Sequence, residues 1–254
     1  FYKHKIGYEN PNPQQASRIR EEQREILDLH ERVSFKVIFD DEITQRLNID
    51  FEKCIVKLQQ HYASLGLVTD FQNNVPRFLH TSFAEYLIAT YLHKNRTEFK
   101  DIISHTIFDA KYNNIRFFFD MLLAKNSKAH IAVLYKNYEL LRTYDDNILT
   151  GKDEGGRSAL HLISSWGQRH PCLKVTIVDG EHTVHEDSNF DGKTESKFYF
   201  ETIAYLQRTN DVDERDILLN ATPLFYATKS ESLGAELKLL QVKKNGVYQS
   251  CSRD

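Results

Sequence analysis

Two short strings in this chain spell the same local structure. Residues 156–162 read Gly-Arg-Ser-Ala-Leu-His-Leu, and residues 220–227 read Asn-Ala-Thr-Pro-Leu-Phe-Tyr-Ala. In each, a turn-forming residue precedes Ser158 or Thr222. The Ser or Thr hydroxyl and, in the first string, the His161 imidazole tie down the turn, Pro223 suits the first turn of a helix, and Leu and Ala form its inner side. Internal repetition of this kind restricts a fold more than any single element, because each unit leaves an apolar face that a neighbouring unit must cover.

A second run has its own logic. Residues 78–91 read Phe-Leu-His-Thr-Ser-Phe-Ala-Glu-Tyr-Leu-Ile-Ala-Thr-Tyr, an apolar strand-like stretch that ends at His80 and passes into an amphipathic helix. Helix N-termini carry unpaired N–H groups and partial positive charge, which suits phosphate-like ligands. The plainer reading is a capped helix, with Ser82 as N-cap and Glu85 completing a Ser-x-x-Glu box.

Between and around these runs the pattern is mainly helical. Residues 1–15, with Pro11 and Pro13 among Asn and Gln, read as a linker. Charges three and four apart and apolar residues at Ile19, Ile26, Leu29 and Val33 predict a helix over 16–38. Asp40-Asp41-Glu42 opens a short helix, and Asp50 caps another over 51–64 that Gly66 ends. Strands at 67–71 and 77–80 flank turn chemistry at 72–76. A helix over 82–93 is expected to bury Phe83, Tyr86, Leu87, Tyr91 and Leu92. A helical pair at 98–125, buried around Phe117-Phe118-Phe119, and one helix over 128–142 follow, with a boundary near 145. Asp179-Gly180 between two β-rich runs predicts a hairpin. Residues 242–254 read as a disordered tail.

Two resemblances organise this pattern. The 78–91 run resembles the Phe-x-His-x-x-Phe-x-Glu-Tyr/Phe-x-x-Ala signature of NACHT-type STAND NTPases, matched by Phe78, His80, Phe83, Glu85, Tyr86 and Ala89. That resemblance implies a winged-helix-like domain over 16–93, with His80 facing the phosphates of a nucleotide held by an upstream NTPase domain. The strings at 156 and 220 resemble the Gly-x-Thr-Pro-Leu-His-x-Ala start of an ankyrin repeat, which implies a repeat segment over 146–241 that binds a protein partner. Ser158 and Thr222 lie 64 residues apart, against an ankyrin period of about 33. An insertion at about 168–197, carrying the hairpin, accounts for the excess. Residues 94–145 form a helical region that caps the array. The expected fold class is therefore mainly α: a winged-helix-like domain, a helical region, and ankyrin-type repeats with a small β-hairpin insertion.

Composition narrows the function. A net charge of −3 leaves no basic footprint for non-specific nucleic-acid binding. Cys54, Cys172 and Cys251 are odd in number and widely spaced, which fits a reducing, cytoplasmic setting rather than a disulfide framework. No apolar run approaches the roughly 18 residues that span a bilayer. The chain starts at Phe1 without an initiator methionine, and we read it as a fragment.

Enzymatic motifs are missing. Gly192-Lys193-Thr194 matches the end of a phosphate-binding loop, but Asp187 stands at the first glycine position. Asp187, Asn189 and Asp191 match half a calcium loop, yet Phe198 stands where the bidentate Glu belongs. Six acids against one lysine over 179–195 read as a solvated acidic loop. His182 and His185 point to opposite faces of a strand, an awkward arrangement for a metal. We therefore expect no catalytic residue, no metal and no cofactor in this segment, with ADP or ATP belonging to a longer protein. Trp166 has two readings, buried packing or an exposed hot spot for a protein partner. The leading expectation is a regulatory and protein-interaction segment of a STAND signalling protein. The alternatives are a winged-helix DNA binder, with residues 51–64 entering the major groove, and a simple ankyrin adaptor.

Overall fold

The computed structural model describes residues 12–61, 65–166, 173–178, 181–186, 193–232, 235–236 and 239–240, with backbone alone at 173–178, 181–186 and 193–198. The chain is mainly helical with two small antiparallel hairpins. It divides into two compact units: residues 1–96 with 113–122, and residues 97–112 with 123–254.

The spine of the first unit is α1, Pro13–Ile38. It starts earlier than the linker reading of residues 1–15 allows. Asn12 Oδ1 accepts the Gln15 N–H at 2.9 Å, and the Gln15 side chain accepts the Asn12 N–H at 3.1 Å, while Pro13 takes the first helical position. This reciprocal capping satisfies two orphan donors and moves the start upstream. The far end, where Val33, Phe35 and Val37 alternate as in a strand, stays helical because Val33 and Phe35 are fully buried against neighbouring helices. Phe35 stacks on Phe39 and meets the edge of Tyr91, both at 5.5 Å between centroids.

Two short helices follow as expected: α2, Asp41–Arg46, capped by Asp40, and α3, Phe51–His61, where Asp50 accepts the Lys53 N–H at 3.0 Å. The hairpin is tighter than its sequence suggested. β1, Val68–Gln72, pairs with β2, Val75–Phe78, and only Asn73 and Asn74 turn between them. Both asparagines adopt positive φ, 51° and 60°, the geometry that matches strand twist in a two-residue turn.

Helix α4, Thr81–Lys94, lies against α1 and buries Ala84, Leu87, Ile88, Ala89, Tyr91 and Leu92. Phe83 and Tyr86, expected in this core, remain 38% and 45% exposed. They sit on the flank of the stripe set by Leu87, Ile88 and Tyr91, so the wider apolar arc is only partly covered. Glu31, a fully buried carboxylate of α1, accepts from Lys94 Nζ at 2.6 Å. Burial raises its pKa, and the Lys94 ammonium opposes that rise.

The pair expected at 98–125 becomes a π-helical turn at Ile102–Thr106, a 3-10 turn at Ala110–Tyr112, and α5, Asn113–Ala124. Of the Phe triplet, Phe119 is buried and Phe117 and Phe118 are half-buried.

In the second unit, the single helix expected over 128–142 is two: α6, Lys128–Leu134, and α7, Tyr138–Arg142. Lys136 turns left-handed at φ 54°, and Asn137 caps the new helix by accepting the Leu140 N–H at 3.1 Å. A short helix α8, Asp146–Leu149, precedes α9, Ala159–Ser165. Strands β3, Leu173–Val178, and β4, Glu181–Glu186, pair antiparallel over the segment read as an insertion, with the turn at 179–180 outside the described residues. Helix α10 runs over Lys193–Leu206, so it starts inside the segment at about 168–197 that was read as an insertion. Helix α11 runs over Pro223–Lys229, and residues 235–236 and 239–240 are helical as well. The tail at 242–254 lies outside the described residues.

Candidate functional site

Three helices of the second unit are copies of one device. α6, α9 and α11 are each seven residues long and open after Ser127, Ser158 and Thr222. Ser127 stands 31 residues before Ser158 and ahead of the boundary near 145 that the sequence suggested. The exits of the first and third also match, while the residues after Trp166 lie outside the described ones. Asn137 N–H bonds Ala132 O and Ser232 N–H bonds Ala227 O, both at 2.8 Å, while Lys136 and Glu231 are left-handed at φ 54° and 52°. Such 6→1 closure satisfies the last helical carbonyls.

Each of the first two copies is tied to the next by an imidazole. His130 Nδ1 accepts from the Ser127 hydroxyl at 2.6 Å, and its Nε2–H donates to Arg157 O at 2.9 Å. His161 Nδ1 accepts the Ser158 N–H at 3.1 Å and the Ser158 hydroxyl at 2.7 Å. Its Nε2–H reaches Glu214 O and Ala221 O, each at 3.1 Å. Arg157 immediately precedes Ser158, and Ala221 immediately precedes Thr222, so each bridge lands on the equivalent carbonyl of the following copy. Acceptance at Nδ1 and donation at Nε2 fix one neutral tautomer. The His130 pKa is lowered to about 4: burial is the main cause, the Asp153 carboxylate opposes it, and the Arg157 guanidinium adds to the lowering. Burial likewise lowers that of His161, against the pull of Asp216. In the third copy Phe225 replaces the histidine.

The loops before these helices repeat as well. Asp153 Oδ1 accepts from the N–H groups of Gly155 and Arg157, and Asp153 N–H donates to Arg157 O. Asp216 plays a similar part in a loop one residue longer: its Oδ1 accepts the Leu219 N–H and its own N–H donates to Ala221 O. The two loops join where Gly155 O accepts from Ile217 N–H and Leu218 N–H, at 3.0 and 2.9 Å. Lys152 and Glu214 form an ion pair between them. Gly156 and Asn220 hold positive φ, 72° and 58°, at matching positions two residues before Ser158 and Thr222. Arg157 Nε bonds Asp153 Oδ2 at 2.7 Å in a fully buried pair. Burial pushes the Asp153 carboxyl up, but the Arg157 guanidinium and its hydrogen bonds outweigh it and hold the pKa down.

Trp166 takes the C-cap position of α9, half-buried, where Tyr135 stands after α6 and Ser230 after α11. Neither of its two sequence readings is met in full, since the ring is only partly enclosed. Tyr199, buried on α10, donates to Ile163 O at 3.2 Å and lies 3.3 Å from Ser232 Oγ, linking the second helix of the middle copy to two inner elements. Its phenol pKa is driven up by burial.

In the first unit, His80 stands at the handover from hairpin to helix, exposed, as the N-cap of α4. The cap is not Ser82. His80 Nδ1 accepts the Ser82 N–H at 3.1 Å and lies 2.7 Å from Ser82 Oγ, which commits that nitrogen to the cap. Glu85 does not close a capping box: both its oxygens accept from Asn114 Nδ2 at 3.1 Å. Around His80, Leu79, Phe83 and Tyr86 are exposed.

Among the described residues, no group of three His, Cys, Asp or Glu could hold a metal ion. The side chains of His182 and His185, and the half calcium loop at 187–192, lie outside the described residues. No described helix is long and apolar enough to cross a membrane. The chain matches no family model, no curated protein and no solved structure.

Sequence reasoning missed the copy at Ser127. The signal was present: Ser127-Lys128-Ala129-His130 repeats Ser158-Ala159-Leu160-His161 at a distance of 31 residues. A lysine in the position of Ala159 or Pro223 hid it.

Proposed function

We propose that this chain is a non-catalytic regulatory and protein-interaction segment of a NACHT-type STAND signalling protein. Its second unit is an ankyrin-type array of three repeats starting at Ser127, Ser158 and Thr222, the middle one enlarged by a hairpin. The observation that carries this is the recurrence of one hydroxyl–imidazole–carbonyl bridge at His130 and His161, each ending on the residue before the next cap. Spacing near 31 between the first two caps supports the same period. Repeat stacks of this kind act as rigid binding surfaces because each unit contacts only its neighbours. The array takes a protein partner, with Trp166 on the contact surface.

The first unit is a winged-helix-like module that packs on an NTPase domain in a longer protein. What supports this is the order α2, α3, hairpin, α4, with His80 between wing and helix. The apolar side chains around it, Leu79, Phe83 and Tyr86, suit a face that a neighbouring domain covers. The DNA-binding alternative has less in its favour: the outward side of α3 offers Lys53 and Lys57 but also Glu52 and an exposed Val56.

To test the interaction reading, a photoreactive phenylalanine analogue is placed at Trp166 and, as control, at Asp109. A defined protein captured at 166 and not at 109 in the native cells supports the assignment. Equal or no capture at both positions removes it.

A further inference from the structure

The three inner helices carry the same stripe, at the first, fourth and eighth positions after the cap. In the second copy Ala159 and Leu162 are fully buried, and Trp166 is half-buried. In the third copy Pro223, Tyr226 and Ser230 are all buried. Tyr226 shows what covers it: its ring lies 5.7 Å from that of His161 on the preceding inner helix. In the first copy the stripe is Lys128, Ile131 and Tyr135, and it is open. Tyr135 is 62% exposed, Lys128 is exposed and Ile131 is half-buried. This open stripe lines a groove of about 490 Å³ that Leu140 and Tyr144 complete. That volume lies within the usual range for a binding cleft.

We infer that this groove docks an acidic amphipathic helix of a protein partner, which deepens the protein-interaction reading above and rests on it. The floor of Ile131, Tyr135, Leu140 and Tyr144 is apolar and calls for apolar anchors. The form of the occupant follows from the chain itself, since Tyr226, at the centre of the third copy's stripe, packs on another helix through His161, with Phe108 beside it. A helix about 10 Å wide presents anchors at i, i+3 or i+4, and i+7 to such a trough. The charge follows from the lining. Lys125 and Lys128 are its charged members, and no carboxylate lines it. Lys125 also pairs with Glu154 at 3.0 Å, so Lys128 carries the larger share of the uncompensated charge. An adjoining groove that shares Tyr135 and Asn137 holds Lys136 and Glu139 together and adds no net sign. Charges of this kind set orientation and association rate, and their effect is screened by salt.

The test uses the full chain and two displayed libraries of helix-biased peptides about 15 residues long, with randomised anchors and outward positions fixed as either Glu or Lys. The acidic library enriches. Fluorescein-labelled winners, followed by anisotropy, weaken at least about tenfold on Tyr135→Ala or Lys128→Glu and weaken again at high salt. Both substitutions lie on the surface, so an unchanged melting temperature confirms that each variant is folded. Enrichment of the basic library, no enrichment, or winners indifferent to both substitutions overturns the groove. So does self-association of the chain that Tyr135→Ala abolishes, which would make a second copy the occupant. Crosslinking at Trp166 that persists beside any of these failures leaves the interaction reading standing and removes only this site.

Discussion

The Nε2–H of His161 donates to the carbonyl oxygen of Ala221 at 3.1 Å, a bond between residues 60 positions apart that ties one helical unit to the next. The same ring accepts from Ser158 N–H and so reads the start of its own helix. One side chain therefore holds local and long-range structure together, and the expected effects of changing it follow.

Substituting His161→Leu puts a side chain of similar volume without donor or acceptor in place of the imidazole and removes the bridge. It leaves the Glu214 carbonyl and the Ser158 N–H short of a partner, while Ala221 O keeps the Asp216 N–H alone. Unpaired buried groups cost about 1–3 kcal/mol each when water cannot replace the partner. We expect a loss of about 2–4 kcal/mol by urea unfolding. A loss below about 0.5 kcal/mol would show that the bridge is ornamental to stability.

Acid should loosen the second unit through His130. Its folded pKa is lowered to about 4, below the 6.5 of a free imidazole, so the unfolded chain binds the proton first. The contribution is complete above about pH 6.5 and falls as the pH drops toward 4. Its span is at most about 3 kcal/mol. Asp153 acts in the same sense at lower pH, because its lowered pKa is a stabilisation lost on protonation. Melting curves at pH 7.5 and 5 report the first window. His130→Gln should flatten the difference, and an equal slope in that variant would assign the pH dependence elsewhere.

Gly156 and Gly66 both hold positive φ, 72° and 68°, but in different surroundings. A Cβ on Gly66 meets nothing within 4 Å, while one on Gly156 comes within 3.0 Å of three Ile217 side-chain carbons. Gly66→Ala should cost about 1 kcal/mol from backbone strain alone. Gly156→Ala should cost more, and Ile217→Ala should return part of it in a double-mutant cycle. Equal costs at the two glycines would contradict the contact.

The buried pair of Asp153 and Arg157 should not tolerate half-removal. Asp153→Asn leaves a buried guanidinium without its counter-charge, a change that typically costs about 3 kcal/mol or more. Chemical unfolding at pH 7 measures it. A near-neutral result would mean that water reaches Arg157.

The exposed residues around His80 give the opposite expectation. Leu79→Ser and Phe83→Ser should leave the melting temperature of this chain within about two degrees, since exposed apolar groups away from the core contribute little. A large drop would mean that these side chains are already covered within the chain.

What was legible in the sequence was whatever is chemically local. Asp40 and Asp50 announced their helices because a carboxylate two or three residues from free N–H groups caps them in any context. Ser158 with His161, and Thr222 with Pro223, announced theirs for the same reason. His80 was correctly set between hairpin and helix, yet Ser82 was given its role, because a histidine is an uncommon cap and the choice depended on which way its ring turned. The split of residues 128–142 was hidden, since a left-handed Lys136 has no signature in sequence.

The sequence by itself determined a mainly helical chain, the place of its hairpins and two of its three repeated starts, because capping and turn chemistry act over three or four residues. Only the tertiary structure decided that His130 and His161 point across to the next copy, and that Tyr135 is left open while Tyr226 is buried. Those outcomes depend on which face meets a neighbour 30 to 60 residues away, and that is a property of packing.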